Sequence, residues 1–371
     1  MAALHICLVG PLPMPAGGMA NQTAQLRALL EREGHRVDMV RNNAPCRLRW
    51  LRRVPYARAL ARLLPYLWHV WRAAGRAQVM HVMASSGWSW HLFAAPAIRI
   101  GCLRGCPVVV NYRGGEAADF LQRSHRRVAG TLRRASVLMV PSGFLAAVFA
   151  RHGYDAVIVP NVVDLERFHL DAAPQQLPLR APAVLVARHL EPIYDIGNAL
   201  RAFALLRATH PLATMLVAGS GPEHARLLQL ANRLGIAAGV RFCGLLEHAA
   251  MVQCYRAADV VLNPSLADNM PNSVLEALAS GVPVVSTNVG GVPYLVEDGR
   301  HALLVPPGAP HDMARAMRRV LEEQGLAQHL RAAGLQLARQ YAWPQVYPRL
   351  LAAYQEALGR RNMPLPARRS T

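Results

Sequence analysis

The stretch 259-DVVLNPSLADNMPNSVLEALASGVPVVSTNVGG-291 reads as a strand, a helix and a second strand. Its first and last parts, DVVLNPS and PVVSTNV, are short, apolar and rich in valine, which is typical of strands buried in a parallel sheet. The loop after the first strand carries Asp268, and Glu276 falls in the first turn of the helix. Both carboxylates are therefore expected at the carboxyl edge of a sheet, where open α/β sheets bind ligands.

The two carboxylates have two interpretations. Ser273 and Glu276 have the spacing of a capping box, in which Glu276 would bond only to the start of its own helix. Alternatively, Asp268 and Glu276 hold a ligand. The spacing leaves both open, including the combination in which Ser273 caps the helix while Glu276 serves the ligand.

The same alternation of strands and helical segments extends over the whole chain. One series of predicted strands occupies 4–10, 36–40, 79–83, 107–112, 137–141 and 156–161, and a second occupies 181–187, 214–219, 240–244, 259–265, 283–289 and 302–307. A proline-rich segment without periodicity separates them. The fold class is therefore predicted as α/β, with two Rossmann-like, doubly wound domains facing each other across a cleft. The predicted boundaries are 1–168, linker 169–182, 183–343, and a C-terminal helix and tail at 344–371 that crosses back to the first domain.

Composition narrows the class of protein. The 371 residues include 53% hydrophobic and 17% charged residues, so the chain should fold fully, and their number favours two domains. The net charge of +19 comes from arginine alone, and such a surface attracts nucleic acid, anionic lipid or phosphorylated substrates. The cysteines lack a CxxC pair or zinc spacing, and the N-terminus lacks the pattern of a signal peptide. We expect a cytoplasmic protein, and we interpret the uncharged run between Arg76 and Arg99 as strand, loop and helix.

Two further motifs suit an anionic ligand. Gly17 and Gly18 follow the first strand and precede a helix, so they would let the backbone approach a phosphate, although a glycine pair at this place is also an ordinary turn. Arg188 lies just beyond the first strand of the second half. A guanidinium there would grip a diphosphate with paired hydrogen bonds, although most arginines are solvated surface groups.

Taken together, these motifs resemble the family-4 retaining glycosyltransferases of the GT-B fold. The resemblance covers nearly the whole chain, and its motifs occur in the family's order: the glycine loop ending in GHRV, PNVVDLERF at 160–168, the Arg188 segment, GSGPE at 219–223, and the run from Asp268 to Gly299. It implies a role for the carboxylate pair: Glu276 would accept hydrogen bonds from the ribose hydroxyls, and Asp268, where the family more often has glutamate, would face the transferred sugar.

The resemblance also implies a diphosphate site. Arg188 would stabilise the leaving diphosphate, and the loop at Gly219 and the helix start at Asn272, Ser273 and Val274 would bind the donor, the latter two through main-chain N–H groups. Gly17 and Gly18 would close on the diphosphate from the first domain. With Arg188, Asp268 and Glu276 as the catalytic set, the reaction would be a front-face displacement in which the departing diphosphate accepts the acceptor's proton. It would need no metal and no cofactor beyond a UDP- or GDP-sugar.

Two positions depart from the family pattern. Tyr194 replaces the lysine usually found six residues after the arginine, so one phosphate contact is missing. Tyr194 would instead bind the donor by stacking or a hydrogen bond, and Arg188 would carry more of the phosphate charge. Asp195 follows where glycine is common. In the first domain, Arg113 stands near the place where many members have a histidine. It contacts either the donor phosphate or an anionic acceptor, or it is a structural arginine.

A basic segment in the first half suggests a surface role. From Arg41 to Arg76 there are nine arginines and no acidic residue, interleaved with tryptophan and tyrosine. This pattern suits a protein that binds an anionic membrane surface peripherally, on the inner face of the cytoplasmic membrane. It suits a solvated helix face equally well. Pro55 and Pro65 are expected to break any long helix in this segment. The acceptor would then be a glycan or a lipid-linked molecule in cell-surface polysaccharide or glycolipid synthesis. No stacking platform supports nucleic acid.

Two other functions are compatible with the sequence. Tyr194 in place of lysine would suit a catalytically weak or inactive nucleotide-sugar-binding subunit. A nucleotide-sugar epimerase of the same fold would turn over donor without acceptor.

Overall fold

The structure, a computed structural model, describes residues 3–13, 18–44, 55–169, 181–360 and 365, with backbone alone for 55–61. The chain divides into two compact units. Unit 1 comprises Met1–Asn161 with Val346–Thr371, and unit 2 comprises Val162–Gln345. Most of the predicted linker, and Gly17, lie outside the described residues.

Unit 1 is built on a six-stranded parallel sheet. Its strands are β1 (His5–Gly10), β2 (Arg36–Arg41), β3 (Val79–Ala84), β4 (Val108–Tyr112), β5 (Val137–Val140) and β6 (Val157–Ile158), in the order β2-β1-β3-β4-β5-β6. Its helices are α1 (Gly18–Arg32), α2 (Pro55–Ala74), α3 (Ala95–Leu103), α4 (Ala117–Leu132) and α5 (Gly143–Ala150), with one turn of π-helix at Trp90–Ala94 before α3.

Unit 2 has a second parallel sheet of six strands. These are β7 (Ala183–Ala187), β8 (Thr214–Ala218), β9 (Val240–Gly244), β10 (Val260–Asn263), β11 (Val284–Thr287) and β12 (Leu303–Val305), in the order β12-β11-β10-β7-β8-β9. The helices are α6 (Ile196–Arg207), α7 (His224–Arg233), α8 (His248–Ala257), α9 (Asn272–Ala279), α10 (Val292–Leu295), α11 (Pro310–Glu322) and α12 (Leu326–Arg339). The last helix, α13 (Trp343–Gly359), contains the division between the units, so its residues from Val346 onward belong to unit 1.

The predicted α/β class and all twelve predicted strands are confirmed. The reason is visible in unit 2, where neighbouring strand residues belong to different cores. Val184 and Val186 pack in the core on one face of the sheet, and Leu185 between them packs in the core on the other. Since both faces are buried, every position of the strand is apolar, and the sequence shows a continuous valine-rich run.

The division between the units falls after Asn161 rather than at residue 168. Val163 and Phe168 are both buried in the core of unit 2, and the ring of Phe168 meets that of Tyr255 edge to face at 5.7 Å. The main-chain N–H of Val163 also donates to the carbonyl of Tyr341. Apolar contacts therefore assign most of PNVVDLERF to unit 2.

The expectation that prolines break the basic segment is wrong for α2. Pro55 is the first residue of this helix, where a missing N–H has no consequence, and Pro65 lies inside it without ending it. Tyr66 and Val70 anchor the helix in the core of unit 1, and this burial offsets the backbone hydrogen bond lost at Pro65. Among the described residues, no helix is both long and apolar enough to cross a membrane.

Asp195 has a left-handed backbone conformation, with φ of 39° and ψ of 50°, and it is the only described non-glycine residue with positive φ. Its side chain caps α6 by accepting a hydrogen bond from the N–H of Asn198 at 3.2 Å. This geometry favours glycine, and aspartate is tolerated because its side chain forms the cap. The cap compensates for the strain.

We expect Asp195→Ala to lower stability by about 2 kcal/mol, because alanine keeps the left-handed strain and removes the cap. Asp195→Gly relieves the strain and Asp195→Asn keeps the cap, so both should stay within about 1 kcal/mol of the native chain. Thermal unfolding of the three variants measures this ranking. An alanine variant as stable as the other two would contradict the conformation.

Candidate functional site

The candidate site lies where the strand order of unit 2 changes direction. From β7 the chain continues outward through β8 and β9, and then returns to the other side of β7 as β10, β11 and β12. The carboxyl ends of β7 and β10 therefore flank a topological switch point, the place where doubly wound sheets bind ligands. Arg188 follows β7 directly, and Asn263 is the last residue of β10.

Arg188 is held by contacts on several sides. Its Nε donates to Asn263 Oδ1 at 2.8 Å, and its Nη2 forms an ion pair with Asp268 Oδ2. Its guanidinium lies over the ring of Tyr194, 4.9 Å from the centroid. Only 11% of the Arg188 side chain and 11% of Asp268 are exposed. The sequence placed Arg188 and Asp268 in one site but did not predict this ion pair; in the structure Asp268 contacts the arginine directly. Tyr194, which replaces the usual lysine, orients the arginine from one face.

A buried polar network holds Arg188 through Asn263, and sequence reasoning missed this network. Asn263 Oδ1 accepts from Ser265 Oγ as well as from Arg188, and Asn263 Nδ2 donates to Ser286 Oγ at 2.9 Å. Thr287 Oγ1 donates to the carbonyl of Ser265. These four supporting residues are fully buried. The signal was present as polar residues ending two otherwise apolar strands, in VVLN and VVST.

Glu276 does not form the capping box that its spacing allowed. Helix α9 begins at Asn272 with Pro271 as its N-cap, so Ser273 lies inside the first turn and is not the capping residue. The carboxylate of Glu276 instead accepts a hydrogen bond from the hydroxyl of Tyr255 at 2.9 Å. That hydroxyl also lies 3.2 Å from the carbonyl of Ser273. Tyr255, on α8, is a further residue that sequence reasoning missed.

The electrostatics tie Glu276 to Arg188. Burial raises the pKa of Glu276 to about 7, although the Tyr255 hydrogen bond and the charge of Arg188 both act to lower it. Burial also lowers the pKa of Arg188, against the attraction of Tyr194, Tyr255 and Glu276. Each group feels the charge of the other, so the site places a cation and a titratable carboxyl at one edge of the sheet.

The start of α9 contributes main-chain groups. Asn272 and Ser273 are its first two residues, where main-chain N–H groups lie outside the helix's own hydrogen bonds. The N–H of Val274 donates to the carbonyl of Pro271 at 3.2 Å. The N–H of Val274 is thus engaged within the turn in this structure, and its role of offering that N–H to a phosphate stays a prediction.

The glycines around the site permit close backbone packing. A Cβ on Gly219, whose φ is +151°, would lie 1.9 Å from the carbonyl oxygen of Arg188. A Cβ on Gly291 would lie 1.7 Å from the carbonyl oxygen of Asn269, and the N–H of Gly291 donates to the carbonyl of Asp268 at 2.9 Å. The glycine loops after β8 and β11 therefore fix the backbone that carries Arg188 and Asp268.

Unit 1 places Arg113 at the carboxyl edge of its own sheet, directly after β4. Its Nε donates to Asn111 Oδ1 at 3.1 Å, and its Nη1 donates to Gln22 Oε1, at 2.5 Å, and to Asn161 Oδ1. Burial lowers the pKa of Arg113 to about 10. No carboxylate among the described residues forms a salt bridge with it. It is a cation held by neutral amides.

The network continues into the core of unit 1. Because Arg113 only donates, it fixes Oδ1 of Asn111 as the acceptor and turns Nδ2 toward His81 Nε2, at 3.0 Å. His81 then carries its proton on Nδ1, which donates to Tyr354 Oη on α13 at 2.8 Å. Burial, followed by the charge of Arg113, lowers the pKa of His81 to about 3, so the imidazole is neutral.

Gly18 is the first residue of α1, and a Cβ there would meet no atom within 4 Å. A side chain would thus fit at Gly18, whereas Gly17, its predicted companion, is outside the described residues. Within the described part of the chain, no three histidine, cysteine, aspartate or glutamate side chains lie close enough to hold a metal ion.

These features define a two-unit α/β protein with a cation, a raised-pKa carboxyl and helix starts at the carboxyl edges of its sheets. Two family models match successive parts of the chain: Glycosyltransferase Family 4 matches residues 16–167, and Glycosyl transferases group 1 matches residues 181–323. These matches, together with the fold, support a family-4 glycosyltransferase of GT-B type.

Individual relatives agree with this assignment. D-inositol 3-phosphate glycosyltransferase of Actinosynnema mirum is 34% identical over 57% of this chain and 54% of its own length. Glycogen synthase of Mycobacterium tuberculosis is 27% identical over 74% of this chain and 69% of its own length. The match to the first spans about half of the relative's length.

Two solved structures share the fold. HepE of Anabaena, in complex with UDP and glucose, has a TM-score of 0.74 and 18% identity, over 95% of this chain and 99% of its own. Sucrose-phosphate synthase of Thermosynechococcus elongatus has a TM-score of 0.77 and 20% identity, over 96% of this chain and 99% of its own.

Proposed function

We propose that the protein is a retaining glycosyltransferase that moves a sugar from a nucleotide-sugar donor to a glycan or lipid-linked acceptor. One observation carries this proposal: Arg188, directly after β7, and Glu276, on the helix that follows β10, lie at the same edge of the unit 2 sheet, at its switch point. A diphosphate needs the first group and a ribose the second. The family match over residues 181–323 supports the same function.

In this proposal the catalysis is electrostatic. Negative charge develops on the diphosphate as the bond to the sugar breaks, and Arg188, with the first N–H groups of α9, stabilises that charge. Asn263 and Tyr194 hold the guanidinium in place, so little reorganisation accompanies the reaction. The diphosphate oxygen takes the proton of the attacking hydroxyl on the same face of the sugar, which retains the anomeric configuration.

We propose that this chemistry requires neither a metal ion nor any cofactor besides the donor. The arginine supplies the positive charge that a divalent cation supplies elsewhere. Transfer measured with and without excess EDTA tests this point directly. A loss of transfer that Mg²⁺ or Mn²⁺ restores would contradict it.

The donor is proposed to be a UDP- or GDP-sugar. HepE, which shares the fold, was solved with UDP and with UDP-glucose, and this favours UDP. Glu276 suits either nucleotide because ribose is common to both. Thermal shift with UDP, GDP and their sugars separates the two, since the nucleotide that binds the folded state raises Tm.

The acceptor is proposed to carry negative charge and to bind at unit 1. Arg113 offers a guanidinium that no described carboxylate neutralises, and an anionic group would complete its contacts. The acceptor named for the relative from Actinosynnema mirum, an inositol phosphate, is a phosphorylated molecule of this kind. We propose that the acceptor here is presented at a membrane surface during synthesis of cell-surface polysaccharide or glycolipid.

Product analysis distinguishes this function from its alternatives. Incubation of the donor with candidate acceptors should give the free nucleoside diphosphate and a glycosylated acceptor in equal amounts. Turnover of donor to a second nucleotide sugar without acceptor would identify an epimerase. Nucleotide binding without any turnover would identify an inactive subunit.

Glu276→Gln gives a test of the carboxyl that depends on pH. Because the pKa of Glu276 in the folded state, about 7, lies above its ordinary value of 4.5, ionising it destabilises the fold as pH rises through this range. The glutamine variant should match the native Tm near pH 5 and exceed it near pH 8.5, since its amide oxygen still accepts from Tyr255.

The same variant should bind nucleotide about tenfold more weakly at pH 8.5, because a carboxylate accepts hydrogen bonds from ribose more strongly than an amide does. Native affinity should fall as pH drops below 7, whereas that of the variant should be flat. Calorimetric titration with UDP and GDP across this range measures both trends. Parallel pH profiles would remove Glu276 from the nucleotide site.

A further inference from the structure

Helix α2 presents apolar residues on two opposite faces. Tyr66, Val70 and Ala73 are buried in the core of unit 1. Leu64, Trp68 and Trp71 are 63%, 55% and 45% exposed. At about 100° per residue, the exposed three lie within roughly 60° of one another and on the side of the helix opposite the buried three. We call them the exposed stripe.

Such a stripe is not needed by the fold of unit 1. A surface helix normally has one apolar face toward the core and a polar face toward solvent. Two large indole rings in contact with water are unfavourable, and here they do not stabilise the core of unit 1. An apolar surface of this kind marks a site where something else covers the helix. The surrounding charges indicate what that is.

Guanidinium groups flank both indoles. Arg72 lies over the ring of Trp68, 5.4 Å from its centroid, and Arg104, just beyond α3, lies over the ring of Trp71 at 4.8 Å. Both arginines are exposed. The stripe thus combines rings that can enter an apolar layer with cations that remain beside it in the headgroup region, as in helices that lie in a membrane interface.

The local charge is one-sided far beyond the helix. Residues 39–115 contain twelve arginines and not one aspartate or glutamate. These seventy-seven consecutive residues contain no acidic side chain, so a polyanionic surface would attract the segment and would meet no negative charge within it. Arginines close to an anionic leaflet each add to the attraction, so a few of them suffice for binding when rings are also inserted.

We propose that the exposed stripe of α2 docks on an anionic lipid bilayer, with Trp68 and Trp71 in the interface and Arg72 and Arg104 on the lipid phosphates. This identifies the face that would bring the proposed membrane-borne acceptor to the enzyme, and in that sense it rests on the proposed function. Vesicle binding requires no glycosyl transfer, however, so the docking surface and the activity can fail independently.

Charge argues against the other occupants. Two copies of the chain joined through the stripe by a two-fold axis would bring their arginines together, and like charges across an interface are repulsive. Nucleic acid would satisfy the arginines but would leave Leu64 without an apolar partner. A bilayer accommodates both parts of the stripe.

The experiment is co-sedimentation of the full chain with vesicles of phosphatidylcholine alone or with about one third phosphatidylglycerol. The native chain should bind the anionic vesicles and not the neutral ones, and binding should fall as salt rises. The binding of anionic vesicles should fall by at least about tenfold in the variant Trp68→Ser/Trp71→Ser and also in the variant Arg72→Gln/Arg104→Gln. Circular dichroism and Tm establish that the variants are folded.

Matched controls come from unit 2. Leu212→Ser/Leu245→Ser removes two leucines that are 77% and 54% exposed, and Arg201→Gln/Arg233→Gln removes two exposed arginines. Both should bind anionic vesicles like the native chain. The transfer rate on a soluble acceptor analogue should be unchanged in the stripe variants, which separates docking from catalysis.

Several results would overturn the proposal. Equal binding of neutral and anionic vesicles, no vesicle binding, or native binding by both stripe variants would each do so. A dimer in light scattering that the tryptophan variant abolishes would assign the stripe to a second copy. Competition in which DNA or RNA displaces vesicles, and which requires Trp68 and Trp71, would assign it to nucleic acid.

Discussion

Arg188→Ala is expected to lower the rate of glycosyl transfer by about two to three orders of magnitude, the loss typical when one preorganised donor to a developing anion is removed. The native guanidinium is held by Asn263, Asp268 and Tyr194 before any ligand arrives. Its effect should therefore appear in kcat more than in KM, because the charge it stabilises grows as the diphosphate departs. Steady-state kinetics with the donor identified by thermal shift measures both constants.

The alanine variant also leaves Asp268 without its cation, and that carboxylate is nearly buried. A drop in stability could then be mistaken for a drop in catalysis. Arg188→Ala/Asp268→Asn separates the two effects, since it should regain Tm without regaining the rate. Arg201→Ala, on an exposed face of α6, is the matched control for loss of one positive charge and should keep native kinetics.

Arg188→Lys is the more demanding variant. A lysine keeps the charge but cannot hold Asn263 and Asp268 together while presenting a planar face to Tyr194. We expect it to recover less than about a tenth of the native rate. If either Arg188→Lys or Arg188→Ala turned over substrate at a near-native rate, the arginine would have a structural role and the proposed mechanism would be wrong.

The strands were predictable because both faces of each sheet are buried. At β7, Val184 and Leu185 point into different cores, so the sequence carries no alternation that would obscure the strand, and Pro182 marks its start. Placing Arg188 and Asp268 at strand ends likewise needed only the order of the elements. In a parallel sheet, the order of strands and helices along the chain is enough to determine which residues lie at the carboxyl edge.

Contacts between distant residues could not be predicted in this way. Tyr255 and Glu276 are separated by 21 positions and lie on different helices, so the hydrogen bond that replaces the capping box depends on how α8 packs beside α9. Local spacing favoured Ser273 and Glu276 because the capping box is a local pattern. In the structure the N-cap is Pro271, so the helix begins before Ser273 and Ser273 cannot be the capping residue.

Asp195 illustrates the opposite case, in which a local departure had a local answer. The sequence shows an aspartate where the family commonly has glycine, and the structure shows a left-handed residue that caps the next helix. Aspartate is one of the few residues able to do both. Tyr194, beside it, gained its meaning only from Arg188, whose guanidinium lies over its ring.

Gly291→Ala should have a large effect on stability, a loss of about 3 kcal/mol. The added Cβ would lie 1.7 Å from the carbonyl oxygen of Asn269, so two backbone segments must separate. The hydrogen bond from the N–H of Gly291 to the carbonyl of Asp268 would lengthen with them. Thermal unfolding followed by circular dichroism measures the loss as a fall in Tm.

Because that displacement moves Asp268 away from Arg188, the variant should also lose transfer activity at temperatures where it is folded. Gly130→Ala is the matched control: this glycine lies inside α4, its added Cβ would meet no atom within 4 Å, and the change should be neutral or stabilise by up to about 1 kcal/mol. A Gly291→Ala protein with native Tm would mean that the loop after β11 can yield at no cost. In that event Gly291 would not be the residue that fixes Asp268 beside Arg188.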